Sequence, residues 1–351
     1  MRGRGVVFTA RERAELEEIA IDPADLQPGE LLVRGQYSII SAGTEGATYT
    51  GLSQEAPSVY RPRVVRDASR PGYGHLGEIL AIGPGIEHLA IGQRVLSFSP
   101  HASLVRCNAA RFALPVPAET DGTRIVFTRM AGVAMTALRA SSARAGDTVA
   151  IIGLGLVGNL AAQLFQIAGC DVIGFDVSPR RLTLARACGI ADVHNASEAD
   201  PIEVIRQRMG TTDDRGGARI VVEAIGRSEL VAQAVEMAGL HGEVILLGSP
   251  RAAYSGDLTP MLARIHVLAI KMIGALEWTF PIPAATERAR STIEENYRQI
   301  VSWIHSERLV IDPLRTHVML PNRCQEAYQG LIYNKDEYLG VVFDWTGERD
   351  V

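Results

Sequence analysis

The sequence predicts an α/β protein in which a doubly wound parallel sheet is inserted into a second, mainly β domain. Three observations lead there. Four apolar residues, Val149 to Ile152, run into Gly153, Gly155 and Gly158, the G-x-G-x-x-G spacing of a strand–turn–helix unit. From Asp147 to about Ala275, strand-like apolar runs alternate with helical stretches, the pattern of a parallel sheet whose crossovers are helices. On either side of that region the chain reads as short β runs or mixed structure, so one domain is left and later re-entered.

The glycine unit is the most informative stretch. An uninterrupted apolar run suits a strand buried on both faces. Gly153 then allows a tight turn, Gly155 lets the backbone approach a pyrophosphate, and Gly158 lets the next helix sit close to the strand. Asn159 to Ala168 continues with Leu160, Leu164 and Ile167 at helical spacing. Gly153, Gly155, Leu156, Val157 and Gly158 therefore form the expected diphosphate turn, because a helix N-terminus presents free N–H groups and partial positive charge. A second strand, Val172 to Phe175, ends at Asp176, 18 residues past Gly158. That is near the roughly 20 expected of an acid that accepts from the adenosine ribose hydroxyls. Asp176 would repel a 2′-phosphate, so NAD is expected over NADP. Arg180 and Arg181 follow it, and Arg181 can soften that preference.

The chain is 351 residues long, enough for about two domains. The expected division is 1–122 for the first part of the β domain, 123–276 for the nucleotide-binding domain, and 277–351 for the return. With 35 Lys and Arg against 40 Asp and Glu, the net charge of −5 leaves no basic footprint for nucleic acid. Glutamines and an asparagine interrupt the apolar helix after the glycines, so it is not a membrane span. The N-terminus carries a charged run, Arg11 to Glu18, and no apolar leader segment, which gives a cytoplasmic expectation. Cys107, Cys170, Cys188 and Cys324 are far apart, without a C-x-x-C pair, which argues against a disulfide framework or zinc knuckle.

Within the first domain, short runs such as Val6 to Phe8, Leu31 to Val33, Ile39 to Ile40, Glu78 to Leu80 and Val95 to Leu96 are separated by Pro and Gly turns. Their irregular spacing suits a partly open barrel. Arg124 to Ala140 reads as a helix crossing into the second domain. Helices are then expected over Pro179–Ala187, Pro201–Met209 and Glu229–Leu240, with Asp200 capping the second of them. Further strands are expected over Ile220–Ala224, Val244–Leu247 and Met272–Ile273. Beyond Pro281, Ile293, Tyr297, Ile300, Val301 and Ile304 form an apolar helical stripe. Pro321 to Ile332 reads as a helix and Leu339 to Trp345 as a strand.

With these elements in order, several short motifs are similar to those of the medium-chain dehydrogenase/reductase superfamily, the alcohol and polyol dehydrogenases. They are Ala42-Gly43-Thr44-Glu45, Pro71-Gly72-Tyr73, Gly92 to Val95, Thr136-Ala137, the glycine turn with Asp176, Val222 to Gly226, and Gly242 to Gly248. The resemblance spans nearly the whole chain. It implies a GroES-like, partly open β-barrel catalytic domain with an inserted Rossmann domain, an NAD(P)-dependent oxidoreductase, and a homodimer or homotetramer. It also places Gly226, Gly248 and Ser249 near the nicotinamide. The slots that hold zinc ligands in the family here carry Ala42, Tyr73 with Gly74, and Gly132, none of them a thiolate, imidazole or carboxylate. The resemblance therefore implies a zinc-free member, and the Ser41–Glu45 and Pro71–Tyr73 variants resemble the branch of bacteriochlorophyllide hydroxyethyl dehydrogenase-like oxidoreductases.

Without a metal, side chains must hold the substrate oxygen and move its proton. Thr44 keeps the family's hydroxyl relay position. Tyr73 fills a former ligand slot and offers a phenolic O–H. Glu45 is expected to orient Tyr73 or His75, and His75 to alternate onto the face of Tyr73. Trp278 and Phe280 are candidates for the pocket wall, and Arg251 for an anionic part of a substrate or a local ion pair. The expected reaction interconverts a secondary alcohol, polyol- or sugar-like, and its ketone. The alternatives are reduction of an activated C=C or C=N bond, and a nucleotide-binding protein without catalysis.

Overall fold

A computed structural model describes residues 1–55, 70–210, 215–282 and 291–348. In chain order the first part contains β1 (Arg2–Ala10), β2 (Arg13–Ala20), β3 (Glu30–Ile39), α1 (Ala42–Tyr49), α2 (Leu52–Glu55), β4 (His75–Ile82), β5 (Arg94–Ser97), β6 (Leu104–Asn108) and β7 (Ala113–Val116). Then come α3 (Gly122–Ile125), α4 (Thr128–Ala140), β8 (Thr148–Ile152), α5 (Leu156–Ile167), β9 (Asp171–Asp176), α6 (Pro179–Ala187), β10 (Val193–Asn195) and α7 (Pro201–Met209). The chain continues through β11 (Ala218–Glu223), α8 (Ser228–Met237), β12 (Ala238–Leu246), α9 (Thr259–Leu268) and β13 (Lys271–Gly274). It ends with α10 (Ile293–His305), β14 (His317–Met319), α11 (Cys324–Tyr333) and β15 (Val341–Asp344).

The central sheet is parallel, in the order β10-β9-β8-β11-β12-β13. Two mononucleotide-binding halves diverge between β8 and β11, and ligands bind outside the carboxyl ends of strands at such a switch point. The second sheet runs β14-β15-β3-β4-β5-β7, with β6 on β3, and is antiparallel except for β14–β15. Strand β15 comes from the far end of the chain and pairs with β3, so this GroES-like domain is closed by both ends of the sequence. One apolar core is continuous across both regions, from Leu76 and Leu96 through Met130 and Met135 to Ile151 and Ile300. Among the described residues no helix is long and apolar enough to cross a membrane.

Four expectations change. The run Arg11 to Glu18 is largely strand β2, hairpinned on β1, where Ala14 is buried between Arg13 and Glu15; the charges of an exposed strand mask its alternation. The helix expected from Arg124 breaks into α3 and α4, because i→i+3 bonds from Phe127 N to Arg124 O and Arg129 N to Val126 O turn Val126 and Phe127 inward. The helix expected to reach Leu240 stops at Met237, where Ala238 pairs with Ala218 and a Cβ on Gly239 would stand 2.9 Å from Gly217 N. Of the last stripe, Ile293, Tyr297, Ile300 and Ile304 are buried while Val301 is only half-buried.

Candidate active site

The cofactor turn follows from its glycines. Gly153 ends β8 at φ 92°, a region that other residues rarely adopt. A Cβ on Gly158 would collide with the carbonyl oxygen of Gly153, whereas one on Gly155 would meet nothing within 4 Å. The turn is thus closed on its inner side and open above Gly155, at the N-terminus of α5, where a diphosphate fits. No side chain caps that helix end. Leu156 is buried and Val157 half-buried in its first turn.

Asp176 stands at the carboxyl end of β9 and accepts from Leu154 N at 2.8 Å and from Ser178 N at 2.9 Å. Its carboxylate therefore braces the glycine turn. Arg181 is not simply solvated: its guanidinium lies 3.6 Å from Asp176 and donates to the Lys335 carbonyl at 3.1 Å. Glu223, closing β11, accepts from Ile225 N and Gly226 N. Burial raises the Glu223 carboxyl, and the turn's N–H groups pull it back down. Gly226 has φ 86°, and a Cβ there would meet the Ser249 backbone at 2.7 Å; one on Gly248 would collide with Gly226 N. The two loops at the nicotinamide end are packed backbone on backbone. Arg251 is half-buried in the loop beyond β12.

In the barrel domain, Thr44 is exposed in the first turn of α1 and Tyr73 is half-buried in the turn before β4. The Tyr73 hydroxyl donates to Ser41 Oγ. His75 does not share that face. It begins β4, is wholly buried, and its Nε2 bonds the Ala102 carbonyl at 3.0 Å. Tyr73 precedes the strand in a turn through Gly72 at φ 102°, so strand alternation does not relate the two. Glu45 likewise orients neither directly. It accepts from Ser41 N at 2.8 Å and from Tyr328 at 2.6 Å, and pairs with His101 at 2.9 Å. The other nitrogen of His101 meets Ser38 Oγ at 2.8 Å, which Trp345 Nε1 also reaches. This buried network fixes the start of α1, and through Ser41 it reaches Tyr73.

Burial lowers His75 to about 4 from its ordinary 6.5, with the backbone bond to Ala102 opposing and His101 assisting the fall. The unfolded chain therefore takes up this proton first as pH falls. The contribution to stability is complete above about 6.5 and lost down to about 4, by roughly 3 kcal/mol. Denaturant unfolding at pH 7.5 and 5 is expected to show about 2 kcal/mol of this loss, and His75→Gln, whose amide can donate to the same carbonyl, to show much less of it. Equal pH dependence in both proteins would refute the assignment.

Between the two regions lies a cluster that sequence reading did not single out. Arg129 on α4 is 3% exposed, and its Nη1 donates to Glu277 and to Tyr297. Tyr297 also donates to Glu277 at 3.0 Å. Burial disfavours the guanidinium charge, but Tyr297, Glu277 and Tyr73 more than offset it and raise Arg129 above its ordinary value. Burial raises Tyr297 strongly, with Arg129 opposing. Rings surround the guanidinium: Tyr73 at 4.5 Å, Trp278 at 5.0 Å and Phe98 at 5.2 Å from Cζ to centroid. Trp278 packs edge-on against Phe98 at 5.1 Å and so stands at the junction, as expected. The signals were an arginine inside an apolar helix and a tyrosine in the later stripe, but nothing local joins them.

The site and fold define a class. Residues 157–281 match the family described as zinc-binding dehydrogenase. The chain is 26% identical over 277 residues, 76% of each chain, to D-guloside 3-dehydrogenase of Escherichia coli (strain K12). Its fold is that of the alcohol dehydrogenase TADH from Thermus sp. ATN1, with a TM-score of 0.75 at 23% identity over 97% of this chain and 99% of that one. It is also that of galactitol-1-phosphate dehydrogenase from Escherichia coli, with a TM-score of 0.80 at 18% identity over 97% and 99%. Over residues 157–281 the chain is similar to the zinc-binding dehydrogenases, and its overall fold is that of the medium-chain dehydrogenases. It is an NAD(P)-dependent oxidoreductase of that group.

Proposed function

We propose that this enzyme interconverts a secondary alcohol of polyol or sugar type and its ketone with NAD(H), without a metal, as a member of the superfamily's zinc-free branch. The carrying observation is Tyr73, which stands in a former ligand slot with its hydroxyl on Ser41 and its ring on Arg129. The bound nicotinamide supplies or accepts a hydride at the substrate carbon. In the reducing direction the Tyr73 O–H gives its proton to the carbonyl oxygen, and solvent later returns one to the phenolate. The Ser41 hydroxyl can rotate to donate to the Tyr73 oxygen as that proton leaves. Thr44, whose hydroxyl makes no hydrogen bond among the described residues, holds the substrate oxygen. Trp278 walls the pocket, and Arg251 is the candidate to meet an anionic part of the substrate. A dication does not fit beside this set: Gly74, Gly132 and Ala42 offer no ligand, and a Cβ on Gly74 would lie 2.7 Å from the Arg129 side chain. The substrate class draws support from the names of the guloside and galactitol-1-phosphate enzymes.

Titration with NADH and with NADPH, read by energy transfer from tryptophan to nicotinamide, tests the cofactor part. Asp176 predicts at least about tenfold tighter NADH, since a 2′-phosphate would face a buried carboxylate. NADPH preference would overturn this and favour double-bond reduction. Stoichiometric zinc in the same sample would overturn the metal-free reading. Turnover of secondary alcohols and polyols by zinc-free protein supports it.

A further inference from the structure

The two vacated glycine slots are not empty space. Beside Gly74 lies the Arg129 side chain, with Cγ 2.7 Å and Cβ 2.9 Å from a would-be Cβ. Beside Gly132 lie the Tyr297 ring and Glu277 Oε1, the latter at 2.7 Å from a would-be Cβ. The third slot residue, Tyr73, lies across the guanidinium. Three positions that carry metal ligands in relatives are thus packed on one buried ion pair, with the cation next to the proposed proton donor.

We infer that Arg129 supplies the fixed positive charge of the reaction site and acts through Tyr73 as a positioning residue. The inference rests on the role proposed above for Tyr73. When Tyr73 gives up its proton, negative charge develops on its oxygen while a permanent cation lies against the ring. A charge that is buried and already oriented stabilises that state without solvent having to reorganise. Glu277 and Tyr297 hold only Nη1. Nε is buried without a hydrogen-bond partner among the described residues, so the guanidinium is incompletely satisfied, and the Tyr73 ring lies 4.5 Å from its Cζ. Among the described residues, Tyr73 meets Arg129 from α4, and Arg129 in turn is held by Glu277 from the turn after β13 and Tyr297 from α10. Arg111 lies behind Trp278, 5.9 Å from its ring. The Glu45–His101 pair lies beyond Ser41.

The test compares three proteins: Arg129→Lys, Arg129→Met, and Arg129→Met combined with Glu277→Gln, which leaves no unpaired buried charge. For alcohol oxidation by the double variant, kcat is expected to fall about 10–100-fold with KM within about threefold, because only the transition state loses stabilisation. NADH affinity should stay near that of the parent, and Arg129→Lys should recover a substantial part of kcat. Parental kcat in the double variant would overturn the inference. So would a lysine variant as slow as the methionine one, or loss of NADH binding in the double variant, either of which would make Arg129 a structural brace. If Tyr73→Phe itself leaves kcat unchanged, the reading of Tyr73 fails first; if Tyr73→Phe is slow and the double variant is not, only the role of Arg129 fails.

Discussion

Tyr73→Phe is expected to lower kcat by about 10²–10⁴-fold, the range spanned by positioned acid–base groups. The substitution keeps the ring on Arg129 and removes only the hydroxyl that meets Ser41. Tyr73 is half-buried, so the stability cost should not exceed about 1.5 kcal/mol, the upper value for one ordinary hydrogen bond. Steady-state kinetics on the best alcohol or ketone, with NADH affinity measured on the same protein, would decide the matter. A kcat within about threefold of the parent would remove Tyr73 from the mechanism and leave Thr44 or solvent to handle the proton.

Glu277→Ala is expected to be the most destabilising single change at the junction. It strands the Arg129 guanidinium, and Tyr297 also loses its acceptor. Breaking a buried ion pair from one side costs about 3–5 kcal/mol, since the remaining charge stays desolvated and unpaired. Set against a typical stability of about 5–15 kcal/mol, such a loss would be plain in a denaturant midpoint. Glu277→Gln, whose amide oxygen still accepts in one of the two positions, should lose less. An alanine variant within about 1 kcal/mol of the parent would mean that water reaches the cluster, and that Arg129 is not the dry, fixed cation described above.

The two halves of the site were legible to different degrees. In the nucleotide half, Gly153, Gly155, Gly158 and Asp176 fall within one βαβ unit, where spacing along the chain sets spacing in three dimensions. The structure adds that Asp176 braces the turn through Leu154 N. In the reacting half, Thr44 and Tyr73 were legible only through resemblance to a family. Glu45 touches neither expected partner directly, because His101 and Tyr328 come to it from distant parts of the chain and Ser41, at its own helix start, stands between it and Tyr73. His75 was assigned a face by alternation that begins only at His75 itself.

By itself the sequence determined the α/β class, the inserted parallel sheet and the dinucleotide turn. Each of these depends on residue type at short, fixed intervals, where backbone geometry leaves little choice. The tertiary structure alone decided what packs beside Gly74, Gly132 and Tyr73. Arg129 meets Glu277 across 148 positions and Tyr297 across 168, and no local periodicity encodes a meeting at that range. It arises because α4, the turn after β13 and α10 pack into one core, and a cation buried there is tolerated only where a carboxylate arrives to meet it.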